Sequence, residues 1–593
     1  MKLNALDMLI IISYFLTALL LGLKYARRAG KGLDEYFVSG RNLPWWIVGT
    51  SMVATTFATD TPNLVADLVR QHGVMGNWAW WAFLLTGMVT VFFYAKLWRR
   101  SGILTDIGFY ELRYSGKEAA FLRGFRALYL GVIFNVIVMG SVTLAAIKIS
   151  SILLGIDKYT TILTCAVITA IYSCTSGLWG VVVTDVFLFI MAMAGSIGAA
   201  YYCVNLPEVG GLSGLLSHPN VVNHLKILPD FSNPQGWKEA IPIFIIPFAV
   251  QWWSVWYPGA EPGGGGYVAQ RMLAAKDEKN SLLATLWFNV AHYAIRPWPW
   301  ILVALCSLIV FPDLADLQRR FPDIPANLIK HDLGYPAMLS FLPNGLLGLL
   351  IASLAAAYMS TISTHLNWGA SYVVDDFYKR FINPSADARH YVTMARIVTV
   401  GLMALACLLS FYLENALQAF QILLQIGAGT GLIFMLRWFW WRINAWTEIA
   451  AMIVSFSVAV YFEFFHARVF GFTPWEDWQR LVAGVLITTP AWLIVTYLTP
   501  PTRRDVLQRF YDQIQPLGPG WAVAVDTGLA ATRDSFTAGL LAVFLGIVAV
   551  YTALFATGYC IYGKWPLGLF LAAVCVASAV SLLKILPRIN WRG

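Results

Sequence analysis

Charge is what this chain has least of. Asp, Glu, Lys and Arg make up 12% of its 593 residues, about half the ~25% of an ordinary soluble domain, which excludes a water-soluble globular protein. Cysteine is scarce too. The seven residues sit mainly in apolar runs and none forms a CxxC pair, so they read as small hydrophobes and not as a disulfide framework or metal site. The short alternating strands of a transmembrane barrel are missing. No Walker motif is present, and Gly263 to Gly266 are followed by no Lys-Ser/Thr at phosphate-loop spacing, which argues against ATP-driven transport. There is no metal cluster and no nucleophile–base pair, so the chain is not expected to be an enzyme. The formal charge of +9 fits basic loops on one side of a membrane and does not imply nucleic-acid binding.

What is present is apolar length: 58% of the residues are hydrophobic. Runs long enough to cross about 30 Å of hydrocarbon recur along the chain. About fifteen are expected, near 5–23, 45–69, 78–98, 127–154, 162–179, 181–204, 240–257, 283–311, 345–368, 391–413, 416–436, 445–465, 481–498, 536–561 and 566–586. The first run has only Lys2 as a basic flank and no small-residue cleavage site, so it reads as a retained helix. Lys and Arg cluster at Lys24–Lys31, Lys96–Arg100, Arg113–Arg126, Lys379-Arg380, Arg437–Arg442, Arg503–Arg509 and Lys584–Arg592, all on one side of this count. Arg319-Arg320 is the main exception. The reading is an all-α, multi-pass cell-membrane protein with its N-terminus outside and its C-terminus in the cytoplasm.

Ala357-Tyr358-Met359-Ser360-Thr361-Ile362-Ser363-Thr364 places hydroxyls inside an otherwise apolar span. Bare hydroxyls in hydrocarbon are costly without a partner, and a row of them suggests a hard cation beside the helix. Two other spans are interrupted. The second contains Ala54-Thr55-Thr56-Phe57-Ala58-Thr59-Asp60-Thr61-Pro62, where the polar residues and the proline break an ordinary helix. The seventh runs into Tyr257-Pro258-Gly259-Ala260-Glu261-Pro262 and four glycines. With the first span set aside, these open two consecutive blocks of five, the sequence pattern of an inverted-repeat transporter with a midplane site.

Four passages, in order, resemble the sodium:solute symporters, a family that includes sodium/proline, sodium/galactose and sodium/sialic acid carriers. They are Glu35–Arg41 with Leu43-Pro44-Trp45-Trp46; Ser176-Gly177-Leu178-Trp179-Gly180-Val181-Val182-Val183-Thr184-Asp185; Gln270–Lys276; and Ala357–Asn367 running on to Asp376–Arg380. They cover roughly residues 5–440. The resemblance implies a LeuT-type core of five plus five helices with one leading helix and additional C-terminal helices. The corresponding division is 1–44 leading helix and link, 45–204 first repeat, 205–239 extracellular loop, 240–444 second repeat and 445–593 accessory helices, with a cytoplasmic loop near 499–534. The chain departs from the family pattern at the Pro/Gly-rich insertion 258–266, at the Pro500–Asp534 stretch with two final spans, and at the polar solute-contacting positions of the sugar carriers, which do not recur.

The resemblance also implies a sodium site made from the carbonyls of Ala54, Phe57 and Ala357 and the hydroxyls of Ser360 and Thr361. The i, i+3, i+4 spacing of the last three puts them on one helical face. The plainer reading is that Ser and Thr bond their own helix carbonyls or let helices pack. A second Na⁺ would use Asp185, Ser363 and Thr364; alternatively Asp185 bonds to hydroxyls and tunes the first site without holding an ion. For the solute, Asp60 and Thr61 follow the break, while Gln251, Trp252, Trp253, Trp256 and Tyr257 form a polar-aromatic face, although interfacial tryptophans look the same. His292 and Arg296 lie one turn apart in the eighth span. Arg296 in hydrocarbon calls for a carboxylate, with Glu261, Asp60 or an anionic solute as the choices. Gln421 and Gln425 are candidates on the facing helix.

The expected function is sodium-coupled uptake, by alternating access, of a small organic solute: a sugar, sugar acid, amino acid or other organic anion. Each charge moving down 100 mV yields about 2.3 kcal/mol. The alternatives are proton coupling through Asp60, Asp185 or His292, and a non-transporting sensor of the same fold. The partners are sodium, the solute and the bilayer; the oligomeric state, a monomer included, stays open.

Overall fold

The computed structural model describes residues 3–29, 31–255, 261–411, 413, 424, 427, 429–516, 519–527 and 533–589. Among them the regular structure is helical, with a single β-bridge joining Leu43 to Ala275. The helices used below are α1 (Ala5–Ala29), α2 (Trp45–Thr55), α3 (Asp60–His72), α4 (Ala95–Ser101), α5 (Asn135–Leu154), α6 (Lys158–Val204), α7 (Gly266–Ala274), α8 (Glu278–Val290), α9 (Pro297–Val310), α10 (Leu346–Ser371), α11 (Ala388–Ser410), α12 (Ala445–Val460), α13 (Asp477–Leu498), α14 (Arg504–Ile514), α15 (Arg533–Ile561) and α16 (Trp565–Ile585).

Eleven stretches among the described residues are long and apolar enough to cross a bilayer, each within or overlapping an expected run. The other four expected spans have particular reasons for standing apart. Run 45–69 is divided into α2 and α3. Run 240–257 is divided into short pieces and ends in residues outside those described, as does most of 416–436. Run 162–179 is the first arm of α6, whose 47 residues turn at Gly177, φ 55°; that left-handed backbone favours glycine.

The break between α2 and α3 follows from composition. Pro62 has no N–H to give to the Ala58 carbonyl, and its ring crowds that carbonyl, so a continuous helix is excluded. Asp60 opens α3, where the positive end of the helix dipole suits an acid. A second irregularity joins α8 to α9. Pro297 and Pro299 each remove a donor, and the backbone widens into a π-helical turn over Ala291–Ile295, with the Arg296 amide reaching back five residues to the Ala291 carbonyl at 3.2 Å. Such turns recur at functional sites.

Close packing holds α2 against α8. A Cβ on Gly49 would lie 2.5 Å from the Ala284 carbonyl oxygen, and the Trp287 indole donates to Thr50 Oγ1 at 3.0 Å. Gly49→Val is expected to destabilise the protein by about 1–3 kcal/mol through forced separation of the two helices, read as a lower melting temperature in detergent.

The segments outside the family pattern are built into the body. Helix α15 presents Gly539, Gly546 and Gly558 to Phe93, Met88 and Trp298, and its Tyr551 hydroxyl donates to the Trp81 carbonyl at 2.9 Å. Helix α14 buries Val506, Leu507, Phe510, Tyr511 and Ile514, one face at helical spacing. Phe510 and Trp521 cover the Arg113 guanidinium at 5.4 and 4.9 Å. Arg100 Nη1 donates to the Ile514 carbonyl, and Gln513 donates to the Ser101 carbonyl, both at 2.7 Å. The stretch thus ties down the basic end of α4.

Candidate sodium and solute site

The four passages that carry the resemblance meet in space. The Trp179 indole donates to the Ser39 carbonyl at 3.1 Å. Gln270 Nε2 donates to the Phe37 carbonyl and to Asn367 Oδ1, at 2.9 and 2.8 Å. The Leu43–Ala275 bridge joins the first passage to the third. These contacts bring α2, α6, α7 and α10 together around the break that follows α2.

Ala54, Phe57, Ala357 and Ser360, four of the five expected sodium ligands, line one small cavity together with Leu188, Phe189 and Ala192 of α6. Thr361 is buried beside them, and its hydroxyl donates to the Thr55 carbonyl at 2.9 Å. Residues of the break and of α10 therefore face each other across this cavity.

Asp185 is fully buried. Its two carboxylate oxygens accept from Ser51 and Ser360, each at 2.6 Å. Arg271 of α7 donates to Ser51 Oγ at 3.2 Å and to Thr364 Oγ1 at 2.7 Å, so Ser51 bridges guanidinium and carboxylate. Thr364 also lies 3.2 Å from Thr55 Oγ1. Ser363 Oγ is buried without a hydrogen-bond partner among the described residues. Ser51, Thr55 and Arg271 were not anticipated as site residues. The first two sit at i and i+4 on α2, a polar pair in an apolar span before the break, which was the available signal. Arg271 stood inside a motif read only as a motif.

On the other side of the break, Arg296 Nη1 donates to the Thr56 carbonyl at 2.7 Å and to Thr56 Oγ1 at 3.1 Å. Its Nη2 lies 3.1 Å from His292 Nε2, and His292 Nδ1 lies 3.1 Å from Thr56 Oγ1. The guanidinium covers the Trp300 ring at 5.3 Å. The expected ion pair with Glu261 is not formed: the Glu261 carboxylate pairs with Arg126 and with Arg437, the latter at 3.5 Å. The physical reason is that 261–266 is buried against α4, where the Trp98 indole donates to the Gly263 carbonyl at 2.7 Å. Nor does Arg296 have Asp60 within 4 Å as an ion-pair partner. Asp60 and Thr61 are half-buried, and the Thr61 hydroxyl donates to the Thr56 carbonyl at 3.2 Å.

Gln251 donates to the Ala79 carbonyl at 2.6 Å and lines a cleft of about 530 Å³ with Gln71, His72, Lys238 and Trp478. Trp253 packs edge-on to Trp252, ring centroids 5.3 Å apart. Trp256, Tyr257, Gln421 and Gln425 lie outside the described residues.

A multi-pass helical protein with a broken helix facing a hydroxyl-bearing helix is a membrane transporter by class. A sequence model of the sodium:solute symporter family matches residues 36–455. The chain belongs to that family, and it is a sodium-coupled solute symporter of the plasma membrane. It is 27% identical over 449 residues to a sodium/glucose cotransporter of Vibrio parahaemolyticus, covering 73% of this chain and 80% of the relative. It is 24% identical over 481 residues to a mouse sodium/myo-inositol cotransporter 2, covering 76% and 68%. A solved structure of a Na⁺-coupled sialic acid symporter in a substrate-bound, outward-open state superposes with a TM-score of 0.65 at 20% identity, over 85% of this chain and 99% of that one. The two share a fold.

Proposed function

We propose that the coupling ion binds between the break and α10, held by the Ala54, Phe57 and Ala357 carbonyls and the Ser360 and Thr361 hydroxyls. We propose further that the transported solute is uncharged and rich in hydroxyls. The architecture that goes with this reading is the LeuT-type one: repeats at 45–204 and 240–444, a leading helix before them, accessory helices after 445, about fifteen spans, N-terminus outside and C-terminus cytoplasmic. The interruptions after α2 and after residue 250 at matching positions support it.

One observation carries the solute class. Arg296 is the cation that a carboxylate-bearing solute would need; its two Nη atoms are engaged by Thr56 and His292, and only its buried Nε has no partner among the described residues. Asp60 beside it has no ion-pair partner within 4 Å among the described residues, which leaves an acceptor for solute hydroxyls. The sodium/glucose and sodium/myo-inositol cotransporters among its relatives, named for uncharged polyols, support that choice.

The test is a thermal-shift screen of the purified protein in NaCl against KCl, with neutral sugars and polyols set against sugar acids and amino acids. A ligand that binds only the folded state raises its stability. Sodium-dependent stabilisation by a neutral polyol is expected. Stabilisation by carboxylate solutes alone refutes the solute class. Asp60→Asn is expected to weaken solute affinity tenfold or more while leaving stabilisation by sodium alone intact.

A further inference from the structure

Three consecutive residues of the break are each held by a different side chain. Thr361 of α10 holds the Thr55 carbonyl at 2.9 Å. Arg296 holds the Thr56 carbonyl at 2.7 Å. Trp300 packs edge-on against the Phe57 ring, centroids 4.7 Å apart, and the Arg296 guanidinium lies over that same Trp300. Arg296 thus touches the break twice, once directly through Thr56 and once through Trp300 onto Phe57.

This arrangement has a local cause. The π-helical turn forced by Pro297 and Pro299 places His292 and Arg296 so that both reach Thr56 Oγ1, at 3.1 Å each. Unwound backbone has many conformations of similar energy, and fixing one of them costs conformational entropy. A hydrogen bond from a charged donor to a carbonyl is stronger than a neutral one and can select one of those conformations. The carbonyls at the end of α2 also carry the negative end of its dipole, which favours a cation there.

We infer that Arg296 is a positioning residue for sodium: by fixing Thr56 and, through Trp300, Phe57, it sets the direction of the break carbonyls that the ion uses. It touches no ion itself. It approaches from the start of α9, whereas the cavity lined by Ala54 and Phe57 opens towards α6 and α10. A like charge near the ion opposes its binding, so two effects of opposite sign meet here. The positioning effect prevails because the carbonyl and the negative helix end that the guanidinium holds offset part of its charge. The inference rests on the sodium-site reading above.

The experiment titrates the purified full-length protein with NaCl at constant ionic strength against KCl, with no solute, following melting temperature. Arg296→Gln is expected to raise the half-saturating sodium concentration tenfold or more, and Arg296→Lys, which keeps one charged donor, to give a smaller rise. Thr361→Ala in the same titration tests the sodium site separately. If Thr361→Ala shifts the titration and Arg296→Gln leaves it unchanged or lowers it, the positioning role is overturned and the site stands. If Thr361→Ala has no effect, the site reading falls and this inference with it. A merely structural Arg296 would lower the melting temperature in KCl without moving the sodium midpoint, which also overturns the proposal. Should Arg296→Gln not fold, Thr56→Val, which removes the hydroxyl that Arg296 and His292 share, must by itself raise the midpoint at least threefold; an unchanged midpoint there is fatal to it.

Discussion

Asp185→Ala is expected to abolish sodium-driven uptake in proteoliposomes and to lower the melting temperature markedly. Both carboxylate oxygens accept short hydrogen bonds from hydroxyls on two different helices, Ser51 of α2 and Ser360 of α10. Arg271 reaches the same Ser51 and is fully buried. Removing the carboxylate takes away the nearby negative charge that Ser51 links to that guanidinium, and it leaves the Ser51 and Ser360 hydroxyls without their acceptor. It also releases Ser360, a proposed sodium ligand. Asp185→Asn keeps the shape and loses the charge, so it should fall between wild type and alanine. We propose that Asp185, joined through Ser51 to Arg271, tunes one ion site and that one sodium moves per solute. A measured ratio of two, or wild-type uptake in Asp185→Ala, contradicts it.

Thr361→Ala is expected to raise the sodium concentration for half-maximal uptake tenfold or more, a loss of about 1.4 kcal/mol in ion binding. The hydroxyl is buried and is the link from α10 to the Thr55 carbonyl. In the proposed ion site it turns from that carbonyl to the cation, so alanine removes a ligand and also the bond that holds the break when the ion leaves. Alanine is a strong helix former, so α10 itself is not threatened. Thr361→Ser should retain near-normal sodium dependence. An alanine variant with unchanged sodium dependence argues against the assignment.

Much of this was legible in the sequence because it depends on local rules. A proline closing the polar stretch Thr55–Thr61 marks the break, and Ala357, Ser360 and Thr361 at i, i+3 and i+4 mark a face. Charge scarcity sets the class. What was not legible is how polar groups find each other across the bundle. Arg296 was expected to need a carboxylate, since an arginine in hydrocarbon usually does. It met a backbone carbonyl instead, and such an acceptor exists only because the neighbouring helix unwinds. Glu261 is one of the carboxylates that the sequence offers to Arg296; the buried turn at 261–266 carries it to Arg126 and Arg437 instead. Ser51 and Arg271 gain meaning only once Asp185 from α6 arrives to take the Ser51 hydroxyl. Pairing across more than a hundred residues leaves no periodicity to read.

The contacts at the basic end of α4 have a consequence for biosynthesis. The carbonyl that Arg100 bonds lies 414 residues downstream, and the side chain that caps the Ser101 carbonyl lies 412 downstream. At about 5–20 residues per second, roughly 20–80 s of translation separate the emergence of that helix end from the arrival of its cover. The transport core is synthesised within that interval, so the end of α4 meets these two partners only after the helices of the core have been made.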